Sequence, residues 1–143
     1  AAARLGLDVT VYAPDYRDLP NVVLADKFPF KVVRFAGGRH TMKDLPGKVL
    51  LVRRELQQHC YDWVHAADWP FYIPVFLGGK AAQKSVMVHG SEVIEMLAPA
   101  KRLLVKMLGL FRRRLRVYTN SHFTRTLFLQ HNPDAKPDRV VAE

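Results

Sequence analysis

At 143 residues the chain is long enough for one compact domain with a buried core and short for two. Its composition, 49% hydrophobic and 24% charged, is globular, and no apolar run approaches the roughly 20 residues that a membrane-crossing helix needs. The formal charge of +9 is local: residues 101–116, KRLLVKMLGLFRRRLR, hold seven of the 22 basic residues and no acidic one, leaving 15 basic against 13 acidic elsewhere.

From the N-terminus, AAARLG reads as the last turn of a helix closed by Gly6 at C′, with nothing upstream to begin it and no signal peptide in view. Val9–Tyr12 and Lys31–Phe35 are short runs of β-branched and aromatic residues, hence strands. Between them, residues 13–30 are rich in Pro and Asp and have no period, so they form an excursion between strands. Over 46–59, Val49, Val52 and Leu56 recur at helical spacing after Leu45, with Arg53, Arg54 and Gln57 turned outward. The lone Cys60 excludes an internal disulfide, leaves a metal site short of thiolates, and is read as a core filler in a reducing compartment.

Asp62–Ala66 is a third strand, followed by a short buried helix over PFYIPVFLGG that Pro74 shortens or kinks. Ser85–Val88 is a fourth strand, and a helical pattern follows it with Ser91 as its N-cap. The cationic stretch 101–116 reads as one amphipathic helix: Leu104, Leu108, Phe111 and Leu115 share one stripe, and Arg102, Lys106, Arg113 and Arg116 the opposite one. Arg116–Thr119 is the next strand, and a helix over 121–131 opens on Ser121, with Phe123, Leu127 and Phe128 on its inner side. Arg139–Val141 closes the series as a strand with no element after it.

Most of these strands lack polar alternation, so they are expected to be covered on both faces. Strands alternating with helices point to an α/β fold: a Rossmann-like, doubly wound, mainly parallel sheet with right-handed crossovers. Ligands in such sheets bind beyond the carboxyl ends of the strands. Three strands run into polar groups at that edge: His65 with Asp68 and Trp69, His89 with Ser91 and Glu92, and Asn120 with Ser121. His89 is followed by Gly90, which permits a sharp turn and a close ligand; its imidazole suits either a hydroxyl contact or a packed strand end.

Glu92 favours the positive start of a helix, and a carboxylate there suits sugar hydroxyls better than phosphate. Asp68 fits equally a bridge from His65 to a ligand and the opening of a helix, while Asn120 and Ser121 fit a strand-to-helix turn or a ligand contact. The sequence has no G-x-G-x-x-G, Walker loop, H-E-x-x-H or G-x-S-x-G, so a dinucleotide site, a zinc enzyme and a serine hydrolase are unsupported.

In order, GLDVTVYAP, YDWVHAADWP, VMVHGSEV and VYTNSHFTRTLF resemble the N-terminal, acceptor-side domain of family 4 glycosyltransferases, over nearly the whole chain. The resemblance implies one half of a GT-B architecture. In that architecture two Rossmann-like domains face each other and a sugar passes, with retention, from a nucleotide-sugar donor to an acceptor hydroxyl. It implies no metal and no cofactor; the nucleotide sugar is a co-substrate held mainly by a second domain. By motif, His89 corresponds to the histidine facing the transferred sugar, with Gly90, Ser91, Glu92, His65 and Asp68 lining the same cleft and Asn120 and Ser121 near its hinge side.

Measured against that family, residues 1–143 are one domain incomplete at both ends, without the first strand, the glycine-rich turn or the donor-holding domain. The chain alone is therefore expected to be inactive. Acceptors of lipid-linked or growing-glycan type fit the reading. For the basic helix, the alternatives are a plain surface helix, an anionic membrane surface at the cytoplasmic face, and, least favoured, nucleic acid. A GT-B sugar-nucleotide epimerase and a non-catalytic basic binding module are the rival functions.

Overall fold

In a computed structural model of the chain, the described residues are 5–15, 28–36, 43–79, 83–111 and 115–142. They fall into two compact units, residues 1–44 and 45–143.

The first unit holds two parallel strands, β1 (Thr10–Asp15) and β2 (Lys31–Ala36), paired from Thr10 opposite Lys31 to Asp15 opposite Ala36. β1 runs three residues beyond the sequence reading, through Pro14, whose carbonyl accepts from Arg34 Nη1 at 3.4 Å. Gly6 takes the left-handed conformation (φ 77°) that its place after a helical turn predicts. Residues 1–4, and residues 16–27 of the expected excursion, lie outside the described residues.

The second unit runs α1 (Leu45–Gln58), β3 (Trp63–Ala66), α2 (Trp69–Gly78), β4 (Gln83–Val88), α3 (Gly90–Met96), α4 (Pro99–Leu108), β5 (Leu115–Thr119), α5 (His122–His131), a 3₁₀ turn (Pro137–Arg139) and β6 (Val140–Ala142). The four strands form one parallel sheet in the order β3-β4-β5-β6. Parallel strands joined through helices make this the expected Rossmann-like α/β arrangement.

One face of this sheet is the core. Val86, Val88, Leu115, Val117 and Val140 point into it and meet Tyr72 and Ile73 of α2, Val93 and Met96 of α3, Val105 of α4 and Phe128 of α5, all buried. The rings of Phe111 and Phe128 meet nearly perpendicular at a centroid distance of 4.9 Å. The helix α1 packs on α2, and Gly78 permits it: a Cβ there would lie 2.7 Å from Val52 Cγ1 and 3.2 Å from the Arg53 backbone nitrogen. Lys84, inside β4, reaches the C-terminal turn of α2, donating to the carbonyl oxygens of Val75 (2.9 Å) and Gly79; burial pulls its ammonium below the ordinary value.

The opposite sheet face carries Trp63, His65, Arg116, Tyr118 and Val141, with Trp63 and Val141 each 42% exposed. The expected cover on both faces is thus seen on one face among the described residues.

Three further expectations are corrected. Cys60 is exposed in the turn between α1 and β3, not a core filler. Phe123 is 74% exposed rather than inward. The buried arc of α5 runs through Thr124 and Phe128, and at about 100° per residue Phe123 falls a full step outside it.

The helix expected over 101–116 ends at Leu108. Gly109 adopts the left-handed conformation (φ 59°), its N–H reaches the carbonyl of Lys106, and Leu110 N–H reaches that of Val105, a Schellman-type closure sealed by buried Leu110. Leu115 and Arg116 therefore belong to β5, where the Arg116 guanidinium lies 5.5 Å from the Trp63 ring centroid; Arg113 lies outside the described residues. The four-cation stripe is reduced to Arg102 and Lys106 on α4.

Candidate functional site

The strands β3, β4 and β5 each end in the turn that opens the next helix, so register places their ends along one rim. Three helix starts meet the chain there, and side-chain caps fix each of them.

At the end of β3, Asp68 is the N-cap of α2: its Oδ1 accepts from Phe71 N–H at 2.8 Å. Of its two readings, helix opening is the one the geometry displays. The next residue, Trp69, is buried, and its indole Nε1 finds no hydrogen-bond partner among the described residues.

At the end of β4 the N-cap is His89, not Ser91; Ser91 is exposed inside the first turn of α3. Glu92 reaches back so that its Oε2 accepts from His89 N–H at 2.8 Å, while Glu92 N–H donates to the His89 carbonyl at 3.1 Å. The backbone of His89 is held at both its N–H and its carbonyl, and its side chain is exposed. Burial raises the Glu92 carboxyl above its ordinary value, the bond from His89 N–H opposes that rise, and the Asp68 carboxylate adds to it.

At the end of β5, Ser121 caps α5 by accepting from Thr124 N–H at 3.1 Å. Thr124 also donates through its hydroxyl to Asn120 Oδ1 at 2.8 Å, which leaves the amide NH₂ of exposed Asn120 as the donor to offer a ligand. A Cβ on Gly90 would lie 3.4 Å from Thr124 Oγ1, so the β4 and β5 turns are neighbours. Gly90 itself has no left-handed φ, and a Cβ there would come into van der Waals contact with Thr124 Oγ1.

His65 does not join this rim. It lies one residue before the end of β3, on the open sheet face, with Nδ1 2.8 Å from Ser85 Oγ and its ring edge-on to Tyr118. Ser85 is opposite His65 in register, and His89 is four residues further on, roughly 13 Å at strand rise. Asp68, His89, Gly90, Glu92, Asn120 and Ser121 are thus brought to one edge, and His65 is placed on another surface.

Sequence reasoning missed Thr124, which is 2% exposed and pins both Asn120 and Ser121. Its signal was available: a hydroxyl three residues after a serine N-cap and four after an asparagine faces both across the first turn. Ser85 was likewise missed; fully buried, it binds the ring nitrogens of both Trp63 and His65.

Among the described residues, no group of three or more His, Cys, Asp or Glu side chains is arranged to hold a metal ion, and no helix is long and apolar enough to cross a membrane. Neither the curated proteins nor the solved structures yield a match to this chain. The family comparison does: residues 1–142 match Glycosyltransferase Family 4. With that match spanning nearly the whole chain, and with a parallel α/β sheet beneath it, the chain belongs to glycosyltransferase family 4.

Proposed function

We propose that this glycosyltransferase domain is the acceptor-side half of a retaining enzyme that moves a sugar from a nucleotide-sugar donor to an acceptor hydroxyl. The observation that carries the reading is the exposed side chain of His89 at the carboxyl end of β4, its backbone fixed by Glu92, with Asn120 held by Thr124 at the carboxyl end of the neighbouring β5.

In this reaction the bond from the anomeric carbon to the donor diphosphate breaks as an oxocarbenium-like sugar forms. The acceptor oxygen then bonds to that carbon on the same face, and its proton passes to the departing phosphate. The imidazole of His89 makes a polar contact to the transferred sugar, and Asn120 presents its amide to a hydroxyl. Groups whose backbone is already fixed by caps need little reorganisation when charge develops, which is where such sites gain most of their effect. Asp68 and Ser121 act through the helix starts they cap, holding the rim in place. The donor nucleotide is assigned to a second domain, so the 143-residue chain alone turns over no donor.

The test is transfer from a panel of uridine- and guanosine-diphosphate sugars to simple glycoside and lipid-linked acceptors, by the enzyme that carries this domain. The expected product keeps the donor's anomeric configuration. His89→Ala should lower kcat on the order of 10²–10³-fold with an unchanged Tm. Near-normal turnover in that variant removes His89 from the site, an inverted product overturns retention, and an absence of transfer from every donor overturns the transferase reading.

A further inference from the structure

The helix α4 is apolar on two sides. Inward, Val105 is buried and Leu104 and Leu108 pack against the core. Outward, Leu103 and Met107 are 59% and 75% exposed, four residues apart and therefore side by side. Arg102 and Lys106, also four apart, stand next to that pair on the exposed surface; neither side chain has an acidic partner among the described residues, and α4 contains no acidic residue. Lys101 differs, since Glu95 takes it at 2.9 Å.

An ordinary surface helix would carry polar residues where Leu103 and Met107 stand. Scattered exposed apolar residues need no explanation, but here two adjacent ones are bordered by two unneutralised cations. We infer that the outer face of α4 docks on an anionic lipid bilayer surface, Leu103 and Met107 entering the headgroup–acyl boundary while Arg102 and Lys106 meet lipid phosphates. The charge fits anionic headgroups, and the apolar pair selects a bilayer over a nucleic acid, whose phosphates offer Leu103 and Met107 nothing to bury against. The long stems of Arg102 and Lys106 let their charges stay at headgroup level while the shorter side chains go deeper. This docking does not rest on the acceptor-site reading.

The experiment is co-sedimentation of the 143-residue chain with vesicles of pure phosphatidylcholine and of phosphatidylcholine with anionic phosphatidylglycerol, at low and physiological salt, without sugar donor or acceptor. The wild type should bind the anionic vesicles and lose binding as salt rises. Leu103→Ala with Met107→Ala should weaken binding about tenfold or more at an unchanged Tm, in line with the apolar area withdrawn, and Arg102→Gln with Lys106→Gln should remove the preference for anionic lipid. Failure of the wild type to bind anionic vesicles overturns the inference. So does binding that both double variants retain in full, since the contact would then lie elsewhere. So does tighter binding to duplex DNA that the apolar double variant leaves untouched.

Discussion

Glu92 shows how one side chain serves both the fold and the rim. Its carboxylate holds His89 N–H at 2.8 Å, yet burial and the nearby Asp68 carboxylate keep its proton more firmly bound than in an unfolded chain. A carboxyl whose folded value is raised contributes stability that is whole below its ordinary value of 4.5 and is lost as pH rises through the raised value. Glu92→Gln keeps an oxygen to accept from His89 N–H but cannot titrate. Compared with wild type by urea denaturation in steps of pH, the variant should gain relative stability as pH climbs from 4.5; a difference that stays flat would refute the raised carboxyl. Residues at this scale were legible where chain direction alone decides. His89 and Asn120 each follow the last residue of a strand, and Glu92 lies in the first turn of the helix that His89 opens. His65 was misplaced because side chains alternate faces along a strand, so one pleat before the end put it against Ser85 and Tyr118 instead. Thr124 was overlooked because its role appears only once a helix start aligns it with Asn120.

Between elements, the tightest fit is α1 against α2. The missing side chain of Gly78 is occupied by Val52, a β-branched residue with one favoured rotamer in a helix, and by the backbone of Arg53 beneath it. Alanine in a helix interior is otherwise favoured over glycine by about 1 kcal/mol, but overpacking of this kind costs about 1–3 kcal/mol. Gly78→Ala should therefore be net destabilising, and combining it with Val52→Ala should cost less than the two single changes added together. Denaturant melts of the four proteins measure the coupling; strict additivity would mean the helices part freely at this point. The strands of this layer were legible in advance because short runs rich in β-branched and aromatic residues are bounded by turn residues, although one of their two faces is open. The end of α4 was not. Phe111 and Leu115 continue the period of Leu104 and Leu108, and both are buried, but one sits in the turn after Gly109 and the other in β5. A shared period fitted two different structures, and the glycine between them was the better signal.

For the whole chain, the distribution of core residues decides how it opens. Among the described residues, every hydrophobic side chain of the buried core lies between Ala66 and Val140, around a four-stranded sheet with helices on its inner face. In the first unit, β1 and β2 form a two-stranded sheet in which Pro14 is the buried member of β1, and Leu5, Leu7, Val11 and Phe28 are exposed among its described residues. Two strands are marginal in water without a packed hydrophobic face, and stability within a protein ranges from nearly nothing at such places to the full unfolding free energy at the core. Native-state hydrogen exchange should therefore divide the strands. Amides of β4 and β5, paired on both sides, should exchange only through global unfolding, with a strong dependence on denaturant. Amides shared between β1 and β2 should exchange through a smaller opening, faster and with little dependence on denaturant. Equal free energies and equal denaturant slopes for the two sets would mean that the chain opens as one cooperative body, and the partition into a core-bearing unit and a marginal strand pair would fail.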